Sequence, residues 1–231
     1  RLADQAGVAL VVAEITGLDL QKQQLQLDQH PALPYEHLSL NLGAVTPTTS
    51  ALSAELVPIK PLEPALAFLA EQDRQMIDPA VAATPFQVVG SGLAAVETVL
   101  ALRQRWPGRP LVLNSLPGRL QPALRRALHS ESIQLIETSN PDQTDHFEAM
   151  AGLRCIGSRA PQWLEKSGLP CCSSSGRILT EASLRVVGHP NLFAAGDCAV
   201  IEALPSAPSG VWAVRAARPL SRNLEAACQG R

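Results

Sequence analysis

The chain has 231 residues, 46% of them hydrophobic and 17% charged, with a formal net charge of -2. That length allows one large domain or two ordinary ones with a sizeable core, and the composition is that of a globular protein rather than a disordered one. The near-neutral balance gives no electrostatic footprint for nucleic acid or an anionic membrane surface, and no apolar run is long enough to span a bilayer.

In chain order, residues 8–15 read as a strand, Gly17, Leu18 and Asp19 as a turn, and residues 23–27 as a half-exposed strand of alternating polar and apolar positions. Residues 38–42 read as a buried strand closed by Gly43. A connector rich in proline follows, with Pro47, Pro58, Pro61 and Pro64, and marks a domain boundary. Residues 65–75 have helical spacing, with Leu66, Phe68 and Leu69 on one side. The stretch "FQVVGSGLAAVETVLALRQRWPGRPLVLNS" reads as strand, glycine turn, long helix and strand, and "PALRRALHSESIQLIE" as helix and strand. This alternation predicts a parallel sheet with right-handed crossovers. Residues 139–146 read as a polar loop, and short strands are expected around Ile178 and Leu192. The last helix, 210–227, carries Pro219, which is expected to kink or restart it.

Five cysteines, Cys155, Cys171, Cys172, Cys198 and Cys228, are odd in number and have no C-x-x-C spacing. They imply a reduced, cytoplasmic protein whose thiols act as small buried hydrophobes. The five histidines show no ligand spacing and imply no metal. The chain begins at Arg1, without Met or a signal-peptide pattern, and reads as a piece of something longer.

The glycine turn carries the chemistry. Gly90-x-Gly92-x-x-Ala95 follows an apolar strand and opens a helix. Gly90 allows the tight turn, Gly92 lets a pyrophosphate approach the backbone, and Ala95 lets helix and strand pack closely. A diphosphate there meets free helix N–H groups and the positive end of the helix dipole. An acid about 20 residues further on normally holds the ribose hydroxyls of NAD. Asn114 and Ser115 stand there instead, with Asn114 able to hydrogen-bond a ribose and Arg119 the nearest base for a 2′-phosphate. Glu97 has two readings of equal weight: a first-turn carboxylate on the positive helix end, or a group facing the nicotinamide.

Gly43 closing its strand, the Gly90–Glu97 turn, "FAAGDCA" and "PSAPSGVWAVRAARPLSRNL" occur in one order. Together they resemble the FAD-dependent pyridine nucleotide oxidoreductases, in the type II NADH dehydrogenase-like branch. "LSLNLG", "VPIKPLEPALAFL" and "VVGHPNLFAAGDCA" most resemble the oxidoreductase module fused ahead of selenide, water dikinase. The resemblance implies an α/β fold of two Rossmann-like three-layer domains, the first incomplete and split by the second. Residues 1–58 would end the first FAD-domain segment, 59–166 would form the NAD(P)H domain, and 167–231 the returning FAD segment. It further implies that Gly196 and Asp197 contact the FAD ribityl and pyrophosphate region. Val211, at the start of its helix, would lie under the flavin ring, and Gly43 would pack near the adenine half. A bland reading of Asp197 is a turn carboxylate satisfied by backbone N–H groups.

Two features of the family are absent from the sequence: an N-terminal G-x-G-x-x-G turn for the FAD diphosphate, and a cysteine pair to relay electrons. The fragment therefore carries half an FAD site and is expected to bind FAD poorly alone. The leading function is hydride transfer from NADH or NADPH to FAD and on to an unspecified acceptor, with no side-chain general base in this chain. The expected partners are the nicotinamide nucleotide, a fused dikinase domain and a second copy of the chain, at a location no more than peripheral to a membrane. The alternative is a degenerate, non-catalytic nucleotide-binding module that scaffolds a fused enzyme. A flavin-free dehydrogenase ranks last, because the single tyrosine, Tyr35, is far from the glycine turn in sequence.

Overall fold

The structure is a computed structural model and describes residues 2–47, 56–139 and 150–230. The elements run α1 (Leu2–Ala6), β1 (Ile15–Asp19), β2 (Gln24–Leu27), β3 (His30–Pro34), β4 (Leu38–Leu40), β5 (Leu56–Pro58), α2 (Leu62–Gln75), α3 (Pro79–Ala83), β6 (Phe86–Val89), α4 (Leu93–Arg105), β7 (Leu111–Ser115) and α5 (Pro122–Ser130). They continue with β8 (Gln134–Glu137), β9 (Gly152–Arg154), α6 (Trp163–Lys166), β10 (Ile178–Thr180), β11 (Arg185–Val186), β12 (His189–Ala194), β13 (Ala199–Ile201) and α7 (Gly210–Cys228). A single 3-10 turn, Gly196–Cys198, joins β12 to β13. Of the polar stretch 139–146, residues 140–146 lie outside the described residues.

The contacts divide the chain into two units, Val45–Ser158 and Arg1–Ala44 with Arg159–Arg231. Strand β5, expected in the first segment, pairs in parallel with β9 inside the Val45–Ser158 unit. Helix α6, expected in the nucleotide domain, belongs to the other unit. Proline content marks a connector but not the sheet that its ends join.

The Val45–Ser158 unit holds a sheet in the order β5-β9-β6-β7-β8, parallel throughout. Alternate residues of the strands, Phe86, Val88, Leu111, Leu113 and Leu153, face a core shared with Ala95, Val96, Val99 and Leu102 of α4 and with Ala65 and Leu69 of α2. Burying each large side chain of this kind contributes about 1.5–3 kcal/mol. Arg109 completes the core rather than facing water. It is 2% exposed, and its guanidinium stacks 5.0 Å from the Phe86 ring and 4.9 Å from the Trp106 ring. Its Nε donates to the Thr84 carbonyl at 3.1 Å and its Nη1 to Gln72 Oε1 at 3.1 Å.

The other unit combines a three-stranded antiparallel meander, β1-β2-β3, with a mixed sheet in the order β13-β10-β11-β12-β4. In the mixed sheet β4 runs parallel to β12 and β10 parallel to β13, while β11 is antiparallel to both its neighbours. Its core includes Leu40, Ile178, Val186, Leu192, Ala194 and Cys198.

Three expectations are corrected here. Residues 8–14 form no strand despite their apolar pattern; Val8, Leu10 and Val12 are exposed. Gly17, Leu18 and Asp19 lie within β1, paired with β2, and the turn falls at residues 20–23. Asp19 does make that turn, but from the strand end: its Oδ1 accepts from Gln21 N at 3.1 Å and from Lys22 N at 3.0 Å. Pro219 sits inside one continuous helix, α7, so the expected restart does not occur. The carbonyl left without a donor is that of Arg215, an exposed residue, so water can satisfy it.

Candidate functional site

In the parallel sheet the chain leaves β6 for β7 and β8 on one side, then returns to β9 on the other. The crevice beyond the C-terminal ends of β6 and β9 is therefore a topological switch point, where open α/β sheets bind ligands. Gly90 lies there. Its N–H donates to the Asn114 carbonyl at 2.9 Å, and Cys155 N donates to the Val89 carbonyl at 2.7 Å. A Cβ on Gly90 would meet Cys155 O at 2.5 Å and Ala95 Cβ at 2.9 Å. Gly90 is thus imposed by the crossing of two strands and a helix.

Gly92 differs. It is the N-cap of α4 with extended backbone, and a Cβ there would meet nothing within 4 Å. The space at Gly92 is open to a ligand. The N–H groups of Leu93 and Ala94, the first two of α4, have no intrahelical acceptor, while Ala95 N donates to the Gly92 carbonyl at 3.1 Å; no acidic residue occupies the first turn. Ala95 is fully buried against β6, as close helix–strand packing needs. Ser91 Oγ accepts from Leu116 N at 2.8 Å and so ties the turn to the segment after β7.

Two of the sequence-stated roles do not fit their positions. Asn114 is fully buried, and its Nδ2 donates to Gln87 Oε1 at 2.7 Å. Gln87 in turn donates to the Met150 carbonyl at 2.9 Å. The Asn114 carboxamide belongs to the interior of the sheet and is not presented to a ribose. Glu97 is exposed, but it lies beyond the first turn of α4, where the dipole interaction has faded. Arg119 is exposed in the segment joining β7 to α5.

The other unit assembles the second group. Gly196 follows β12 with φ +72°, a backbone conformation that favours glycine, and a Cβ would meet Asn41 Oδ1 beyond β4. Gly43, φ +68°, lies beyond the same end of β4. Between them sits the buried Cys198 thiol, within reach of Leu42 N at 3.4 Å and Ala195 O at 3.3 Å. Its pKa is pushed up by burial. Asp197 is half-buried beside the start of α7, and Val211 is 59% exposed in the first turn of that helix. The N-cap, Ser209, makes no side-chain cap, so the helix's first N–H groups remain available.

Sequence reading missed Arg177. It is 7% exposed, donates from Nη1 to the Ser206 carbonyl at 2.6 Å, and has a buried Nε without a hydrogen-bond partner. Burial lowers its pKa and the Asp197 carboxylate opposes that shift. Arg177, Gly196, Ser209 and Trp212 line a cleft of about 220 Å³ whose walls are mostly apolar. The only sequence signal was an arginine opening a buried strand.

The cysteine expectation holds for Cys155 and Cys198, which are buried, but not for the exposed Cys228 or the partly exposed Cys171 and Cys172. Among the described residues no helix is long and apolar enough to cross a membrane.

A parallel unit with a glycine turn at its switch point, in one chain with a mixed-sheet unit assembled from two flanking segments, defines the α/β fold of the FAD- and NAD(P)-binding oxidoreductases. A TM-score of 0.75 relates the chain to NADH:rubredoxin oxidoreductase from Clostridium acetobutylicum at 14% identity, over 96% of this chain and 58% of that one. The ferredoxin reductase of the CYP199A2 system from Rhodopseudomonas palustris gives 0.74 at 17% identity, over 96% and 60%. The family model for pyridine nucleotide-disulphide oxidoreductases matches residues 4–217, and the chain belongs to that family. FAD and NAD(P)H are the cofactors of this family. Among named relatives, an NADH dehydrogenase-like protein of Mycobacterium tuberculosis is 25% identical over 94% of this chain and 61% of its own length. Ferroptosis suppressor protein 1 of Homo sapiens is 24% identical over 80% of this chain and 55% of its own length. The chain thus spans little more than half the length of these relatives.

Proposed function

We propose that the protein is an FAD-dependent NAD(P)H oxidoreductase in which the Gly90 turn holds the nicotinamide nucleotide. The observation that carries this reading is the pairing of Gly90 and Gly92 at the switch point. The first glycine is demanded by the fold, and the second is open toward a ligand. The exposed start of α4 directs N–H groups and a positive dipole end at a diphosphate.

FAD, when bound, would supply the chemistry of hydride acceptance and electron release. In this reading Gly196 and Asp197 hold its ribityl and pyrophosphate region, Gly43 lies near its adenine half, and Arg177 adds a fixed positive charge. The start of α7 at Val211 offers N–H groups to negative charge on the flavin ring. The donor set suits the group: a left-handed glycine, a free helix start and an arginine with an unused N–H. A role as a module of a selenide, water dikinase rests on the three quoted segments alone, and homodimerisation and a cytoplasmic location are part of the same proposal.

The burial of Asn114 and the lack of an acid at the end of β7 favour a second reading, a nucleotide-binding module without catalysis. One experiment separates the two. The purified protein is examined for flavin absorbance and titrated anaerobically with NADH and NADPH. Bleaching supports the oxidoreductase; a colourless protein, or flavin that neither nucleotide reduces, leaves only the module.

A further inference from the structure

We propose that the adenosine end of the nucleotide site is built for a 2′-phosphate, so that NADPH is bound in preference to NADH. This rests on the reading that the Gly90 turn holds the diphosphate. In a βαβ unit that placement puts the adenine ribose over the end of the second strand, here β7.

Neither residue ending β7 can serve a free ribose diol. Asn114 is hydrogen-bonded to Gln87 inside the sheet. Ser115 is fully buried, and its Oγ donates to the Leu116 carbonyl at 3.2 Å. The acid nearest in register is Glu137, which stands opposite Ser115 on β8. Its carboxylate is already engaged, accepting from Gly118 N at 2.9 Å and from Arg125 at 2.9 and 2.5 Å. The Arg125 guanidinium cancels its charge.

Among the described residues, what remains at this end is positive. Arg119 is exposed in the six residues between β7 and α5, with no acidic partner among the described residues. The segment that carries it is stitched to the glycine turn by the Leu116 N–H and Ser91 Oγ, so Arg119 and the diphosphate turn belong to one site. Helix α5 begins at Pro122 with no acid in its first turn, which adds a partial positive charge at the end of the same segment. A guanidinium without a carboxylate recognises a phosphate; a diol calls for a carboxylate, and Glu137, the one at this end among the described residues, is occupied.

The test is calorimetric titration of the protein with 2′,5′-ADP, 5′-AMP, NADPH and NADH. The expected result is that 2′,5′-ADP and NADPH bind at least about tenfold more tightly than 5′-AMP and NADH at low salt. Arg119→Ala should remove most of that difference and leave 5′-AMP and NADH unchanged, while Arg119→Lys restores part of it. Arg119 is on the surface, so circular dichroism of the variant should match the parent. Equal affinities within each pair, or an Arg119→Ala that weakens all four ligands alike, overturn the 2′-phosphate inference and leave the nucleotide site standing. Failure of all four to bind the folded protein overturns the nucleotide reading itself, and the inference with it.

Discussion

A Cβ added to Gly90 would lie 2.5 Å from the carbonyl oxygen of Cys155, the residue that follows the neighbouring strand β9. The obstacle is backbone, so it cannot swing aside. Gly90→Ala must push β6, β9 or α4 apart, at a cost of about 1–3 kcal/mol or more. Gly92→Ala meets nothing within 4 Å. The two variants should therefore separate. Gly90→Ala is expected to lower the denaturant midpoint markedly; Gly92→Ala is expected to leave it within ~0.5 kcal/mol of the parent while weakening NADPH binding. Equal stability loss in both would mean that Gly92 has a structural role the open space does not reveal.

The Asn114–Gln87 pair leads to a second expectation. Truncation by Asn114→Ala removes a buried hydrogen bond to the Gln87 carboxamide oxygen and the packing of the amide, which costs about 1–3 kcal/mol. Nucleotide discrimination should not change, because the Asn114 side chain is not at the surface. Urea unfolding and the ratio of NADPH to NADH affinity measure the two effects separately. A change in the ratio with stability intact would restore Asn114 to the ribose.

Cys171 and Cys172 are adjacent but chemically far apart. Burial first, then the charge of Glu165, pushes the Cys171 thiol up to about 11. Hydrogen bonds from Ser174 and Ser175 hold Cys172 down at about 7, and its Sγ lies 3.3 Å from Ser174 Oγ. The thiolate is the nucleophile, so alkylation by iodoacetamide should reach half its plateau rate near pH 7 at Cys172 while Cys171 lags. Peptide mass spectrometry after timed quenching reads both sites. Ser174→Ala should move the Cys172 midpoint upward.

Much of this site was legible in the sequence because periodicity and glycine spacing are local. The strand, turn and helix around Gly90 need only neighbouring residues, and Gly196–Asp197 follows a strand whose apolar run is continuous. What escaped depends on partners distant in the chain. The apolar pattern of residues 8–14 is real, but they form no strand, and Val8, Leu10 and Val12 are left exposed. Asn114 looked like a ligand residue because it stands about 20 residues on from the glycine turn, where an acid normally holds the ribose. Gln87, 27 positions earlier, decides what waits there. Arg177 escaped for the same reason: the Ser206 carbonyl that holds it is 29 residues away.

Acid should loosen the Val45–Ser158 unit by a route that can be followed at Trp106. Asp73 accepts from Arg105 Nε at 3.0 Å and from Trp106 Nε1 at 2.7 Å. The hydrogen bond from Arg105 is the main cause that holds its carboxyl below the ordinary value. Glu137 is held down in the same way, chiefly by Arg125. A depressed folded pKa means that the stabilisation is fully present above the unfolded-state values, near 3.8 and 4.5, and is lost as pH falls through the lower folded values. Stability should therefore be insensitive to these pairs at neutral pH and decline below about pH 4.5. With Trp163 and Trp212 replaced by Phe, Trp106 fluorescence isolates the transition in this unit. Asp73→Asn should flatten the acid limb at Trp106, because the neutral amide still accepts the indole N–H but carries no charge to lose. Salt should weaken the effect, since both pairs face solvent. An acid limb unchanged in Asp73→Asn would assign the decline to other carboxylates.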